Sequence, residues 1–192
     1  MALPDPFGLA AGFALVLVAL ILGFLILTTY NDVVALRNRI DTAWSNIDVA
    51  LKQRHDQLPA LVDAVRGALA FERGTLENVA RLRAAYQPQA PIPDQAATSE
   101  ATSAAVRSLF AVVENYPELR STSNVLELQA GIERLEDTIA ARRELYNDQV
   151  FRYNTRIGQV PGVIVASLFG WTIRPFFRTD PGETGTVLTS LG

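Results

Sequence analysis

The sequence predicts an all-α protein: an antiparallel bundle, read as four helices, on a single N-terminal transmembrane helix. Three observations predict it. Phe7 to Leu27, "FGLAAGFALVLVALILGFLIL", is 21 residues without a charge. Beyond Tyr30 the large apolar residues recur every three or four positions, the spacing of one helix face. No strand-like alternation of useful length precedes the tail.

The apolar run as a helix spans about 31 Å, close to the roughly 30 Å hydrocarbon thickness of a bilayer. A cleavable signal peptide would need a positive leader and a small-residue cleavage site, neither of which is present in good form. A core helix would show a polar face, whereas this run is apolar all round. No Lys or Arg occurs before Arg37. The positive-inside rule therefore places the N-terminus outside and the rest in the cytoplasm, as a single-pass protein of the inner membrane. Within the run, Gly8 and Gly12 form a small-xxx-small spacing that lets two anchors pack, so a homo-oligomer is one expectation.

In "LILTTYNDVVALRNR", Leu25 to Arg39, the apolar run passes into an amphipathic pattern with almost no turn chemistry between. That predicts a stiff joint. The seam continues as Val33, Leu36, Ile40, Trp44, Ile47 and Leu51, then Leu58, Val62, Val65, Leu69, Leu76, Val79 and Leu82, with Glu72 an anomaly on it. Asp56 as N-cap and Pro59 in a first turn predict a tight reversal near His55, with one long helix through Pro59 as the alternative. "QPQAPIPDQAATSEATS", Gln87 to Ser103, reads as a connector whose second half can be helical. A short helix comes next through Val106, Leu109, Phe110 and Val113 and stops before Pro117. The last helix begins near Ser123, where Asn124 and Glu127 have capping-box spacing, and Gly158 is its stop. The expected divisions are 1–6, 7–29 for the anchor, 30–160 for the bundle and 161–192 for an apolar, aromatic tail.

A net charge of −3 gives no electrostatic reason to bind nucleic acid. The chain has no cysteine and one histidine, His55, so disulfides, triads and two-histidine metal sites are excluded. P-loop, HExxH and GxSxG motifs are absent. The reading is non-enzymatic: no catalytic residue, no cofactor and no metal. His55 reads as a turn or capping residue bonded to Asp56.

Tyr–Asn pairs punctuate the helices: Tyr30–Asn31, Asn115–Tyr116, Tyr146–Asn147 and Tyr153–Asn154, the last two seven apart on one face. They read as a structural polar core that fixes register. A ligand site in a sensor or regulatory bundle is the alternative. In the tail, Trp171, Arg174, Phe176, Phe177 and Arg178 either meet the lipid interface or fold back, with Val163 to Phe169 closing the end of the bundle.

The ordered words "YN…LRNR…AWSNIDVALKQRHDQLPALV", "ENYPEL" and "ARRELYND…YNTR" resemble the LemA family of bacterial membrane-anchored helical proteins. The resemblance runs from Tyr30 to about Gly170. It departs at Phe71, where the family often has histidine, and at Val125, Val160 and Val163. What it implies is a cytoplasmic helical bundle on one anchor, with no established enzymatic activity. Relatives are associated with membrane organisation, including a magnetosome vesicle protein, and with genes for membrane proteases. Partners implied are the lipid bilayer and membrane proteins, a protease or a second copy among them; no nucleic acid is expected.

Overall fold

The computed structural model describes residues 6–66, 73–120 and 122–178. These form α1 (Pro6–Arg66), α2 (Arg73–Ala84), α3 (Ile92–Glu114), α4 (Pro117–Arg120), α5 (Ser123–Gly158) and α6 (Gly162–Phe169). The fold is all-α, with no strand among the described residues.

α1 is 61 residues long and contains Pro59. The reversal expected near His55 does not occur there. Proline in a helix interior removes one hydrogen bond and crowds the carbonyl four residues back, at about 3 kcal/mol. Burial of Leu58, Leu61, Val62 and Val65 around it offsets that cost, at about 1.5–3 kcal/mol for each side chain. Asp56 is not a cap; it pairs with Lys52 one turn back at 3.4 Å. Glu72 lies outside the described residues.

The described residues cluster into two compact units, falling within 1–41 with 149–174 and within 42–148 with 175–192. In the first, α1 and the end of α5 run antiparallel, since Asp32 pairs with Arg156 at 2.9 Å while Arg37 lies near Tyr153. Val33, Ile40, Val150, Tyr153 and Ile157 are buried there. The apolar side chains from Phe13 to Leu27 are exposed, and packing begins at Thr29, which is 1 % exposed. Thr28 Oγ1 donates to the Phe24 carbonyl at 3.0 Å, so the hydroxyl is satisfied without breaking the helix.

In the second unit α1, α2, α3 and α5 contribute side chains to one apolar core. Arg142 on α5 donates to the Asn46 carbonyl on α1 at 2.6 Å, and Glu136 meets Arg54, so those helices run in opposite directions. Leu58, Leu61, Val62, Val65, Val79, Val106, Leu109, Val113, Val125 and Ile132 form the core, with Leu119 of the one-turn α4 beneath it.

The segment expected as a connector over 87–103 is helical from Ile92 onward. Pro93 sits in the first turn, where its missing amide costs little, and Asp94 there favours the positive end of the helix. Gln95, Ala96, Ser99, Thr102 and Ser103 face the interior. Their small volume admits a guanidinium: Arg54 Nη1 donates to Ser103 Oγ and Glu136 Oε1, both at 2.8 Å, and Nη2 donates to Ser99 Oγ at 3.0 Å. Ser103 Oγ also lies 2.5 Å from Glu136 Oε2. One buried cation thereby joins α1, α3 and α5, and without it Glu136 would keep only its Ser103 bond and its partial access to water.

Pro59 supplies a direct check on the continuity of α1. Replacing it with alanine restores the missing amide, so Pro59→Ala is expected to raise the thermal midpoint, with a gain of up to about 3 kcal/mol. A fall in the midpoint on calorimetry would mean that proline is needed for a turn at this position.

Candidate functional site

α5 ends at Gly158, and the chain turns through a cis Val160–Pro161 peptide into α6. Gly162 packs so closely on α5 that a Cβ there would run into the Arg156 carbonyl. α6 ends at Gly170, whose φ of 65° lets the Trp171 amide bond back to the Ala166 carbonyl at 2.9 Å. Beyond it, residues 171–178 have no regular secondary structure. An extended strap must place its backbone donors and acceptors somewhere, and the Tyr–Asn pairs of α5 receive them.

In the first unit, Tyr153 Oη donates to the Thr172 carbonyl at 3.0 Å. The Asn154 carboxamide takes both backbone groups of Arg174: its oxygen accepts from the amide at 2.9 Å and its nitrogen donates to the carbonyl at 3.0 Å. In the second unit the same pattern recurs. Tyr146 Oη donates to the Pro175 carbonyl at 3.0 Å, and Asn147 brackets Phe177 with bonds of 2.8 and 3.3 Å. An asparagine gripping both groups of one residue imitates the pairing a neighbouring strand would supply. Burial raises the Tyr153 pKa, an effect partly opposed by the guanidinium groups of Arg37 and Arg174.

The other expected pairs stand elsewhere. Tyr30 is half-buried, with ring centroids 4.8 Å from Phe169 and 5.4 Å from Trp171, while Asn31 is exposed. Asn115 caps α3, its side chain donating to the Ala111 carbonyl at 3.1 Å, and Tyr116 is half-buried against the core of the second unit. These two make the α3–α4 corner and take no part in holding the strap. Gly8 and Gly12 lie on the open surface of α1, with nothing within 4 Å of a Cβ at either position.

Phe177 was expected among the tail aromatics at the lipid interface, and here the structure differs. It is 2 % exposed, its ring 5.8 Å from Trp44 and its backbone held by Asn147, which leaves no surface for lipid. Phe176 is half-buried beneath the guanidinium of Arg178 at 5.0 Å. Trp171 stacks on Phe169 at 5.4 Å with Arg37 over its ring at 5.8 Å, and Arg174 reaches Asp41 at 3.8 Å.

The expected capping role of His55 also fails. The residue lies inside α1, its ring 4.9 Å from that of Tyr86, whose hydroxyl is 3.4 Å from Asp48. Burial, followed by the nearby Arg83 charge, lowers the His55 pKa. Tyr86 is pushed up to about 12 by burial and then by Asp48.

The Arg54–Ser99–Ser103–Glu136 network was not anticipated. Its signal was available: Arg54 falls three residues after Leu51 and four before Leu58, on the apolar seam, opposite a helix whose serines are four apart. Cavities of about 680, 500 and 220 Å³ open respectively at the α2–α3 connection, between Gln57 and Arg134, and between Leu58 and Arg83. None of the three is lined by Tyr146, Asn147 or Tyr153. Among the described residues no group of three or more acidic, histidine or cysteine side chains is placed to hold a metal ion.

The fold and its clamp define an all-α helical protein with, among the described residues, one helix apolar and long enough to cross a membrane. The LemA family model matches residues 43–188, and the chain belongs to the LemA family. It is similar to magnetosome proteins MamQ 2 and MamQ 1 of Paramagnetospirillum magneticum (strain ATCC 700264 / AMB-1), each 32 % identical over 85 residues. MamQ of Magnetospirillum gryphiswaldense (strain DSM 6361 / JCM 21280 / NBRC 15271 / MSR-1) is 28 % identical over 85 residues. Each match covers 44 % of this chain and 31 % of the relative, so the chain spans under a third of the length of these relatives.

The clamp geometry makes a first outcome testable. Asn147→Ala leaves both backbone groups of Phe177 without their partner; a loss of about 1–3 kcal/mol is expected, with faster amide exchange over 175–178. Asn31→Ala on the exposed face is expected to change stability by under about 0.5 kcal/mol, and equal exchange in the two variants would refute the clamp.

A second outcome concerns pH. Because folding lowers the His55 pKa below 6.5, the unfolded chain binds the proton better, and stability is lost as pH falls from 6.5 toward the folded value. The folded Tyr86 holds its proton to about 12 against 10.0 unfolded, so stability is also lost as pH rises through that window. Denaturant titrations of His55→Gln and Tyr86→Phe are expected to flatten the acid and alkaline slopes respectively.

Proposed function

We propose that this chain is a single-pass protein of the bacterial cytoplasmic membrane, its N-terminus outside and its helical units in the cytoplasm. It acts without catalysis, as a scaffold or adaptor in membrane organisation or in recruitment of membrane-protein partners. The observation that carries this reading is α1. Its most apolar 18-residue window has no share buried, yet the same helix runs unbroken into packed helix at Thr29. A helix with its apolar side chains bare all round is suited to hydrocarbon, where its backbone bonds are already made internally. An unbroken joint suits a protein that presents surfaces at a set position; a tethered enzyme has more use for a flexible linker.

Charge supports the same orientation. The unit holding the anchor carries five arginines, Arg37, Arg39, Arg152, Arg156 and Arg174, all beyond the apolar run. Such an excess next to a span favours the cytoplasmic side. The solid packing of Tyr146 and Tyr153, 0 and 1 % exposed, favours a scaffold over a sensor with a ligand among those residues. The relatives named for the magnetosome support a part in an assembled structure. Self-association through Gly8 and Gly12, and a membrane protease as partner, belong to this proposal.

Crosslinking in native membranes, after an alkaline wash, tests it. The full chain is expected to stay in the washed membranes and to capture membrane proteins or further copies of itself. Release by the wash refutes the anchor, and substrate turnover by the purified chain refutes the non-catalytic role.

A further inference from the structure

α6 is not a closed lid on its own unit. Val165 and Ala166 face inward, at 0 and 6 % exposure, whereas Val163, Ile164, Leu168 and Phe169 on the same helix are exposed. Val160 before it and Ile173 after it are 76 and 72 % exposed. From Ile157 to Ile173 there is no charged residue. A contiguous apolar surface of this kind on a folded unit marks an interaction site.

Its position within the unit identifies the occupant. Gly162, at the start of α6, abuts the backbone carbonyl of Arg156, and the Arg156 side chain reaches Asp32. Phe169, at the other end, lies against Tyr30. One end of α6 therefore touches Tyr30, among the first residues of α1 after its bare apolar stretch, and the other is joined to that region through Arg156. The Phe169 end of α6 thus lies against the first turn of α1 beyond the anchor, whose side chains up to Leu27 are exposed and apolar, as are Val163, Ile164 and Leu168 on α6. Charge agrees with this. The unit has five arginines against Asp5, Asp32 and Asp41, a net +2, while the other unit has twelve basic and seventeen acidic residues, a net −5. Attraction to anionic headgroups is thus concentrated where α6 lies. Trp171, under Arg37, has the amphipathic ring that favours the headgroup level.

We infer that α6, with Val160 and Ile173, is a second membrane contact, a short interfacial helix embedded in the same leaflet from which α1 emerges. The inference rests on the single-pass reading above. It moves the lipid contact from the Phe176–Phe177 end of the tail, where Phe177 is buried, to the turn before it. Two contacts, one spanning and one lateral, would prevent the unit from swivelling about the anchor.

The chain has no cysteine, so single-cysteine variants of the full protein report cleanly. Leu168→Cys and Ile173→Cys test α6, Val18→Cys tests the anchor, and Leu126→Cys, exposed on α5, is the aqueous reference. Each is labelled with an environment-sensitive fluorophore in vesicles of phosphatidylethanolamine and phosphatidylglycerol. The expected result is quenching by brominated lipid at 18, 168 and 173, with access of aqueous iodide lost at all three and retained at 126. Iodide access at 168 and 173 equal to that at 126, with 18 in lipid, overturns the inference and leaves the anchor standing. Labels at 168 and 173 shielded from iodide but unquenched by brominated lipid overturn it in favour of a protein occupant such as a second copy. Iodide access at 18 overturns the single-pass reading and the inference with it.

Discussion

An α-helix completes its backbone hydrogen bonds from within, whatever surrounds it, and the rest of this protein depends on that property of α1. The helix needs no turn, cap or linker where its surroundings change, because only the side chains must change. They do so at Thr28 and Thr29. Before that point large apolar groups are bare; after it Val33, Ile40 and Ile47 are buried every seven residues. The threonine hydroxyl at the changeover bonds inside its own helix and leaves no polar group stranded. Pro59 breaks the internal pattern once, where four neighbouring apolar side chains are buried deeply enough to hold the helix together.

Polar residues then decide what apolar packing leaves open. A core of Leu, Ile and Val can slide by a turn at modest cost, whereas an arginine with four hydrogen bonds from its guanidinium cannot. Arg54 joins α1 to Ser99 and Ser103 on α3 and to Glu136 on α5, so its pairing specifies one register for three helices. The small serines are part of this arrangement, since a Leu at either position would occupy the space of the guanidinium.

The segment after α6 shows a different solution to the same requirement. Its residues do not form a helix or pair with a strand, yet its carbonyls and amides lie against packed helix. Tyr146, Asn147, Tyr153 and Asn154 satisfy them, one Tyr–Asn pair within each unit. Repetition at seven residues returns the same geometry to the same helix face. The grip is on backbone, so it does not depend on the side chains held, and the aromatic rings of Phe177 and Trp171 are left to pack.

By itself the sequence determined the helical class, the apolar span, the start of α5 near Ser123 and its stop at Gly158. These rest on periodicity and end signals that are local in the chain. The words that resemble the LemA family were legible for the same reason. Tertiary structure decided the rest. The second half of the 87–103 segment was expected as possible helix, but Ser, Thr and Ala carry no hydropathy contrast to say which face is inward, and Ser99 and Ser103 are turned there against Arg54. The reversal expected near His55, with Pro59 in a first turn, gave way to the alternative of one helix through Pro59, because the burial that offsets the local cost of proline involves other helices. The Tyr–Asn spacing placed four side chains on one face, but nothing local says that the face holds a strap some twenty to thirty residues further on. Local rules specify elements; which surfaces meet is settled by contacts between residues far apart, and those exist only once the chain has folded.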